Sequence, residues 1–228
     1  FQQRPPQPRY SHTWKVSDVL GWMGGLGDNS TLSLRLLSIK LALLMALTGA
    51  KRSSDLHRLD FHSHVTEGDG SLRVTYASMP KQRRPGCRGD ASLPTVVWPV
   101  FDSTPHLCVS SCFQEYVRRT APHRQTAHPQ IFLSLRQPFK PMTSSSIARW
   151  IKDGMTAAGV DTAIFSAHSL RGAATSAAHA GGVSLADILH QADWSSASTF
   201  RRFYLLPVDA SPARTAADQF TATVLRRT

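Results

Sequence analysis

The sequence predicts a mostly helical α+β domain with one small antiparallel sheet, and three features carry that reading. Residues 31–50, TLSLRLLSIKLALLMALTGA, form an almost unbroken apolar run, long enough for a buried helix. Residues 143–159 set Ile147, Trp150, Ile151 and Met155 on one face at helical spacing, behind a serine-rich start that can cap. Two short runs rich in Val and Thr, 71–78 and 93–100, flank a basic loop containing glycine, as the arms of a hairpin do.

Taken from the N-terminus, residues 1–10 (FQQRPPQPRY) hold too much Pro and Gln to bury a core and read as linker. Ser17 can cap a short helix, VLGWMGGLG, that its glycines soon end. The apolar run 31–50 approaches the length of a membrane span, but Arg35 and Lys40 interrupt it. A core helix ending near Gly49 fits better. Residues 105–120 read as a helix with Leu107, Val109, Phe113 and Val117 turned partly inward, and 131–135 as a short strand or extended turn. Further on, Gly181 and Gly182 separate two helices, the second of which (LADILHQA) Ser184 can cap.

The 228 residues, 41% of them apolar, suffice for one domain with a sizeable core. Lys and Arg total 26 against 15 acidic residues, a formal charge of +11, and 20 of the 26 are Arg. A surplus made of guanidinium groups favours a phosphate polyanion over a membrane surface. Cys87, Cys108 and Cys112 leave an odd thiol in any pairing and lack zinc spacing, which suits a reducing compartment. His62-x-His64 has no third ligand that the sequence can place, and neither a phosphate-binding glycine loop nor an internal repeat is present. No metal and no cofactor is expected. No N-terminal signal pattern is visible.

Chemistry concentrates in residues 165–204, FSAHSLRGAATSAAHAGGVSLADILHQADWSSASTFRRFY. His168 and Arg171, three apart, share one face of a helix. Trp194 follows, and Tyr204 comes ten residues later. An imidazole, a guanidinium, an indole N–H and a phenol together suit a phosphodiester: Arg for the non-bridging oxygens, neutral donors beside it, and Tyr as nucleophile. A lone His-x-x-Arg occurs in many helical proteins, so the upstream residues matter. There Lys51-Arg52-Ser-Ser-Asp55-Leu56 follows the apolar helix, with Asp55 one turn beyond Arg52 and able to fix its fork. Lys81 is the only lysine between Arg52 and Lys140, and it lies in the loop between the two strands with Arg83, Arg84 and Arg88.

This order resembles the signature of the tyrosine recombinase (integrase) family: Arg52, Lys81, His168, Arg171, Trp194, Tyr204. The family's Arg-x-x-Glu-Leu is matched by Arg52-Ser-Ser-Asp55-Leu56, with Asp in place of Glu. The phrases AHSLRGAATSAA and ADWSSASTFRRFY look most like the recombinases of DIRS-like and Ngaro-like retrotransposons. The resemblance covers residues 31–208 and implies the family's catalytic-domain fold, with a small antiparallel sheet and a C-terminal helix. It departs at Asp193, where the family often has Gly; an acid there is expected near the phosphate.

The resemblance further implies that Tyr204 attacks DNA to give a 3′-phosphotyrosyl link, helped by His168. Arg52 and Arg171 would clamp the non-bridging oxygens, Trp194 would donate through its indole, and Lys81 would protonate the leaving 5′-oxygen. Asp55 would support the arginines, while Arg83, Arg84, Arg88, Arg201 and Arg202 would bind DNA. Residues 1–30 are expected to be linker and the tail of an N-terminal DNA-binding domain, and 31–208 the catalytic domain. Residues 209–228 are expected as a helix, with Ala216, Phe220 and Val224 in an apolar stripe, that docks on a neighbouring subunit. Double-stranded DNA and further copies of the chain are the expected partners, a membrane is not, and the expected compartment is the nucleus. Two alternatives stay open: a type IB topoisomerase-like DNA relaxing enzyme, and a decayed transposon relic that binds DNA without cutting it.

Overall fold

The apolar run folds as the central helix of the molecule, flanked by the other elements of a mostly helical computed structural model that describes residues 9–79, 93–194 and 196–208. Four elements open the chain: α1 (Val16–Gly25), α2 (Leu34–Thr48), α3 (Ser53–His57) and a three-stranded antiparallel sheet. The sheet has the order β1 (Val65–Thr66), β2 (Leu72–Thr75), β3 (Thr95–Trp98), with Leu72 opposite Trp98 and Thr75 opposite Thr95. The rest is helical: α4 (Val109–Thr120), α5 (Ser144–Ala157), α6 (Ser169–Ala180), α7 (Leu185–Gln191) and α8 (Ala197–Phe203).

Helix α2 begins where the Ser33 side chain accepts the Leu36 N–H, and it ends at Gly49. Residues 41–46 are inaccessible to solvent, which is why this run carries no polar face. Lys40 is buried too, its ammonium 3.5 Å from the Gly27 carbonyl, and desolvation lowers its pKa. The charges that interrupt the run therefore do different things, because Arg35 stays exposed and pairs with Asp153 at 2.7 Å. No helix among the described residues is long and apolar enough to cross a membrane.

Helix α5 forms as its periodicity predicts: Thr143 caps it, and Ile147, Trp150, Ile151 and Met155 are buried against the core. Gly154 lets α5 approach α2, since an added methyl would meet Ile39 Cγ2 at 2.8 Å and overlap the Leu43 side chain. Gly154→Ala is expected to destabilise the fold by about 1–3 kcal/mol through overpacking, read as a lower urea midpoint with an unchanged slope.

Two local expectations need correction, the start of the helix at 105–120 and the Ser17 cap. Residues 105–107 form a separate 3₁₀ turn, because Cys108 is extended and interrupts the run before α4 starts at Val109. Within α4 Val109 and Phe113 are buried and Val117 packs partly buried against the core, as expected; Cys112 and Tyr116 join that face, and burial raises the Cys112 thiol pKa to about 12. Ser17 is inside α1, whose cap residue is Lys15, and its hydroxyl bonds the Asp18 side chain instead. Trp14, Val19 and Met23 join the main core, so packing extends upstream of residue 31. A second, smaller cluster of Ala50, Ile188, Ala192, Trp194 and Phe200 packs with Tyr204. The tail 209–228 lies outside the described residues.

Candidate active site

The short helix α3 turns the chain so that Arg52 caps it and Asp55 reaches back. The Asp55 carboxylate accepts the Arg52 backbone N–H at 2.9 Å, and its Oδ2 lies 3.9 Å from the Arg52 guanidinium and 3.6 Å from that of Arg171. One buried acid thus holds two arginines from segments more than a hundred residues apart. His168 is the cap residue of α6 and Arg171 sits in its first turn, which brings both to one end of the helix. Ser169, between them, accepts the indole N–H of Trp14 at 3.0 Å, which ties α6 to the N-terminal segment.

Arg171 is 2% exposed. Its Nη2 donates to the Ala192 carbonyl, and its guanidinium lies 4.6 Å from the centre of the Trp194 ring. Trp194 packs in turn on Tyr204, ring centres 4.4 Å apart and planes tilted by 40°. Burial first, then the neighbouring Arg52 charge, brings the Arg171 pKa down to about 10, still high enough to keep it a cation at neutral pH. The Arg171 Nε and Trp194 Nε1 donors are buried without a partner among the described residues, and each unpaired donor costs about 1–3 kcal/mol.

Tyr204 ends α8. Its carbonyl accepts the Ser176 hydroxyl at 2.6 Å, which fixes its backbone on α6, and its phenol oxygen lies 3.2 Å from His168 Nε2. The His168 ring keeps an exposed edge, yet surrounding protein atoms and the Arg52 and Arg171 charges push its pKa below the ordinary value of 6.5. At neutral pH the imidazole is therefore uncharged, with the phenol oxygen within hydrogen-bond reach.

Arg52, His168, Arg171, Trp194 and Tyr204 thus meet in one place, with Asp55 beneath the arginines. Lys81, Arg83, Arg84 and Arg88 lie outside the described residues. Arg201 and Arg202 are exposed on α8, with the Arg202 guanidinium 5.1 Å from the Phe203 ring centre.

Two features escape the sequence reading. A groove of about 530 Å³ continues from Arg52 and His168 across α5, past Ser53, Ser145, Arg149 and Lys152, and no carboxylate is among the residues that line it. Arg149 and Lys152 are three apart on the outer face of α5, a spacing readable in advance, but nothing local says which face they border. A larger hollow of about 710 Å³ lies apart from the site, with Asp28, His106, Glu115 and Arg118 in its wall, so its charge is mixed. The second feature is Lys51, which binds Asp193 at 2.6 Å. The acid expected near the phosphate is thereby paired with a cation.

No family model matches the sequence, and no curated protein does. Solved structures do. A XerH site-specific recombinase bound to a palindromic difH substrate, after cleavage, superposes with a TM-score of 0.62 at 11% identity over 84% of this chain and 48% of that one. XerA recombinase gives 0.59 at 15% identity over 98% and 66%. A lambda integrase dimer on a COC′ core site gives 0.50 at 15% over 93% and 51%. The chain spans about half the length of the XerH protein. At these identities the likeness speaks to architecture: the mostly helical body with its small antiparallel sheet has the fold of the tyrosine recombinase catalytic domain.

Proposed function

We propose that this chain is the catalytic domain of a recombinase that breaks and rejoins DNA through Tyr204. The observation that carries the proposal is the phenol oxygen 3.2 Å from a neutral His168, with two arginines on one carboxylate beside it. The Tyr204 oxygen forms a bond to phosphorus, the P–O5′ bond breaks, and the phenol proton passes to His168. Lys81 supplies the proton to the departing 5′-oxygen. Arg52 and Arg171 stabilise the charge that develops on the non-bridging oxygens. Because the phosphotyrosine keeps the energy of the broken bond, a 5′-hydroxyl of a second DNA end can reverse the step without ATP. The arginines supply the charge neutralisation that a metal supplies elsewhere.

The donor-lined groove beside His168 suits the phosphates flanking the scissile one. Arg171 is covered in this arrangement, so its contact with DNA requires the Tyr204 ring to swing off Trp194 while the Trp194 loop stays in place; the two unpaired donors favour that exchange. Double-stranded DNA and other copies of the chain are the proposed partners, in keeping with the DNA-bound dimer of lambda integrase. Integration of a retrotransposon in the nucleus is the proposed setting, on the strength of the two phrases flanking Arg171 and Trp194.

A nicked suicide substrate tests the activity: a DNA adduct resistant to detergent, mapped to Tyr204, supports it, and DNA binding without an adduct favours a non-cutting relic. The pH dependence tests His168. Its lowered pKa means that protonation needs more acid than an ordinary histidine, so the base form persists to below 6.5. Single-turnover cleavage is expected to stay flat from pH 7 down to that value and to decline below it. An acid limb centred above 6.5 that disappears in His168→Gln would contradict the assignment.

A further inference from the structure

We propose that Lys51 and Asp193 are a positioning pair that locks the loop carrying Trp194 onto the end of the core helix and so sets Arg171 and Tyr204 for attack. Lys51 sits one residue before Arg52, and its backbone N–H bonds the Ala46 carbonyl of α2 at 3.0 Å. Its ammonium then spans to the segment after α7, donating to Asp193 Oδ2 at 2.6 Å and to the Gln191 carbonyl at 2.9 Å. A second tie runs alongside, from the Gln191 side chain to the Thr48 carbonyl at 3.1 Å. Between the two residues that Lys51 grips is Ala192, whose carbonyl orients Arg171, and directly after them comes Trp194, which separates Arg171 from Tyr204.

Asp193 adopts a left-handed backbone, φ +52°, where glycine is the easy choice and Asp or Asn the tolerable ones. A residue with a strained backbone and a negative charge beside a phosphate site has two costs. Both are offset only if the charge is used, and Lys51, with 4% of its side chain exposed, has no closer anion among the described residues. The pair thus compensates the acid and fixes the loop in one step, a role separate from touching DNA.

The rate arm of the test rests on the recombinase reading; a second arm does not. Lys51→Met is expected to slow single-turnover cleavage at saturating DNA by about a hundredfold, the cost of an ångström-scale misplacement, while DNA affinity changes less than about threefold. Asp193→Asn, which keeps the backbone and a half-exposed site, is expected to lose about tenfold. Joined, the two changes should be no worse than Lys51→Met alone, because they act on one interaction. Additive losses, or weaker binding with an unchanged rate, would overturn the proposal. Hydrogen exchange of residues 188–200 in the DNA-free protein is the second arm, and it should accelerate in both single variants. If the parent makes no adduct, the recombinase reading fails, and exchange alone then decides the positioning: protection equal to the parent would refute it.

Discussion

Tyr204→Phe is expected to abolish the covalent adduct outright while DNA affinity and folding stability stay close to those of the parent. The phenyl ring keeps its packing on Trp194, and the backbone tie from Ser176 does not involve the hydroxyl. What is lost is the hydroxyl's contact with His168 at the solvent-facing edge, worth about 0.5–1.5 kcal/mol. The other tyrosines bound the test. Tyr76 and Tyr116 are 1% and 0% exposed and cannot reach a DNA strand. Tyr10 is the rival, because its hydroxyl is 2.9 Å from Ser166, two residues before His168. Tyr10→Phe is therefore the control, expected to retain the adduct. Peptide mapping that places DNA on Tyr10 would remove Tyr204 from the role of nucleophile.

Arg171→Ala is expected to have the next largest effect, and on two readouts. Loss of a donor that meets charge developing in the transition state typically costs about 10²–10³ in rate. A 5′-bridging sulfur, which needs no proton to leave, should not restore it, since Arg171 is assigned to the non-bridging oxygens. Stability should fall as well, by about 3 kcal/mol, because a buried guanidinium leaves behind an under-compensated carboxylate. Asp55 keeps the Arg52 N–H, which holds the loss to the lower end of that range. Arg171→Lys should restore part of the stability and little of the rate, as an ammonium cannot reproduce the planar fork. Full activity in Arg171→Lys would show that charge alone is used there.

Elements with a strong internal rhythm were readable from the chain. Helix α5 shows its buried face at spacings of three and four, and α2 shows a run with no polar face at all. The two longer strands were readable from their Val and Thr, but β1, two residues long with both exposed, offered no pattern to find. In α4 only the start was misplaced, because Pro105 and the extended Cys108 detach the first residues from the helix. The inward face was readable all the same, since Val109, Phe113 and the partly buried Val117 keep their helical spacing.

Within the site, the local relations were legible in the chain: His168 with Arg171 on one helical turn, Arg52 with Asp55 across another, and an indole donor preceding a tyrosine. Such relations lie within a few residues, and backbone geometry enforces them wherever the helix goes. Only the folded chain brings Asp55 to Arg171 as well as to Arg52, sets Lys51 against the charge of Asp193, and packs Tyr204 on Trp194 beside His168. Lys51 and Asp193 are 142 positions apart, and nothing in either local segment marks the other as its partner. Their meeting depends on how α2, α6 and α7 close around the small second core, where burial makes an unpaired charge costly and so dictates which distant charges must find each other.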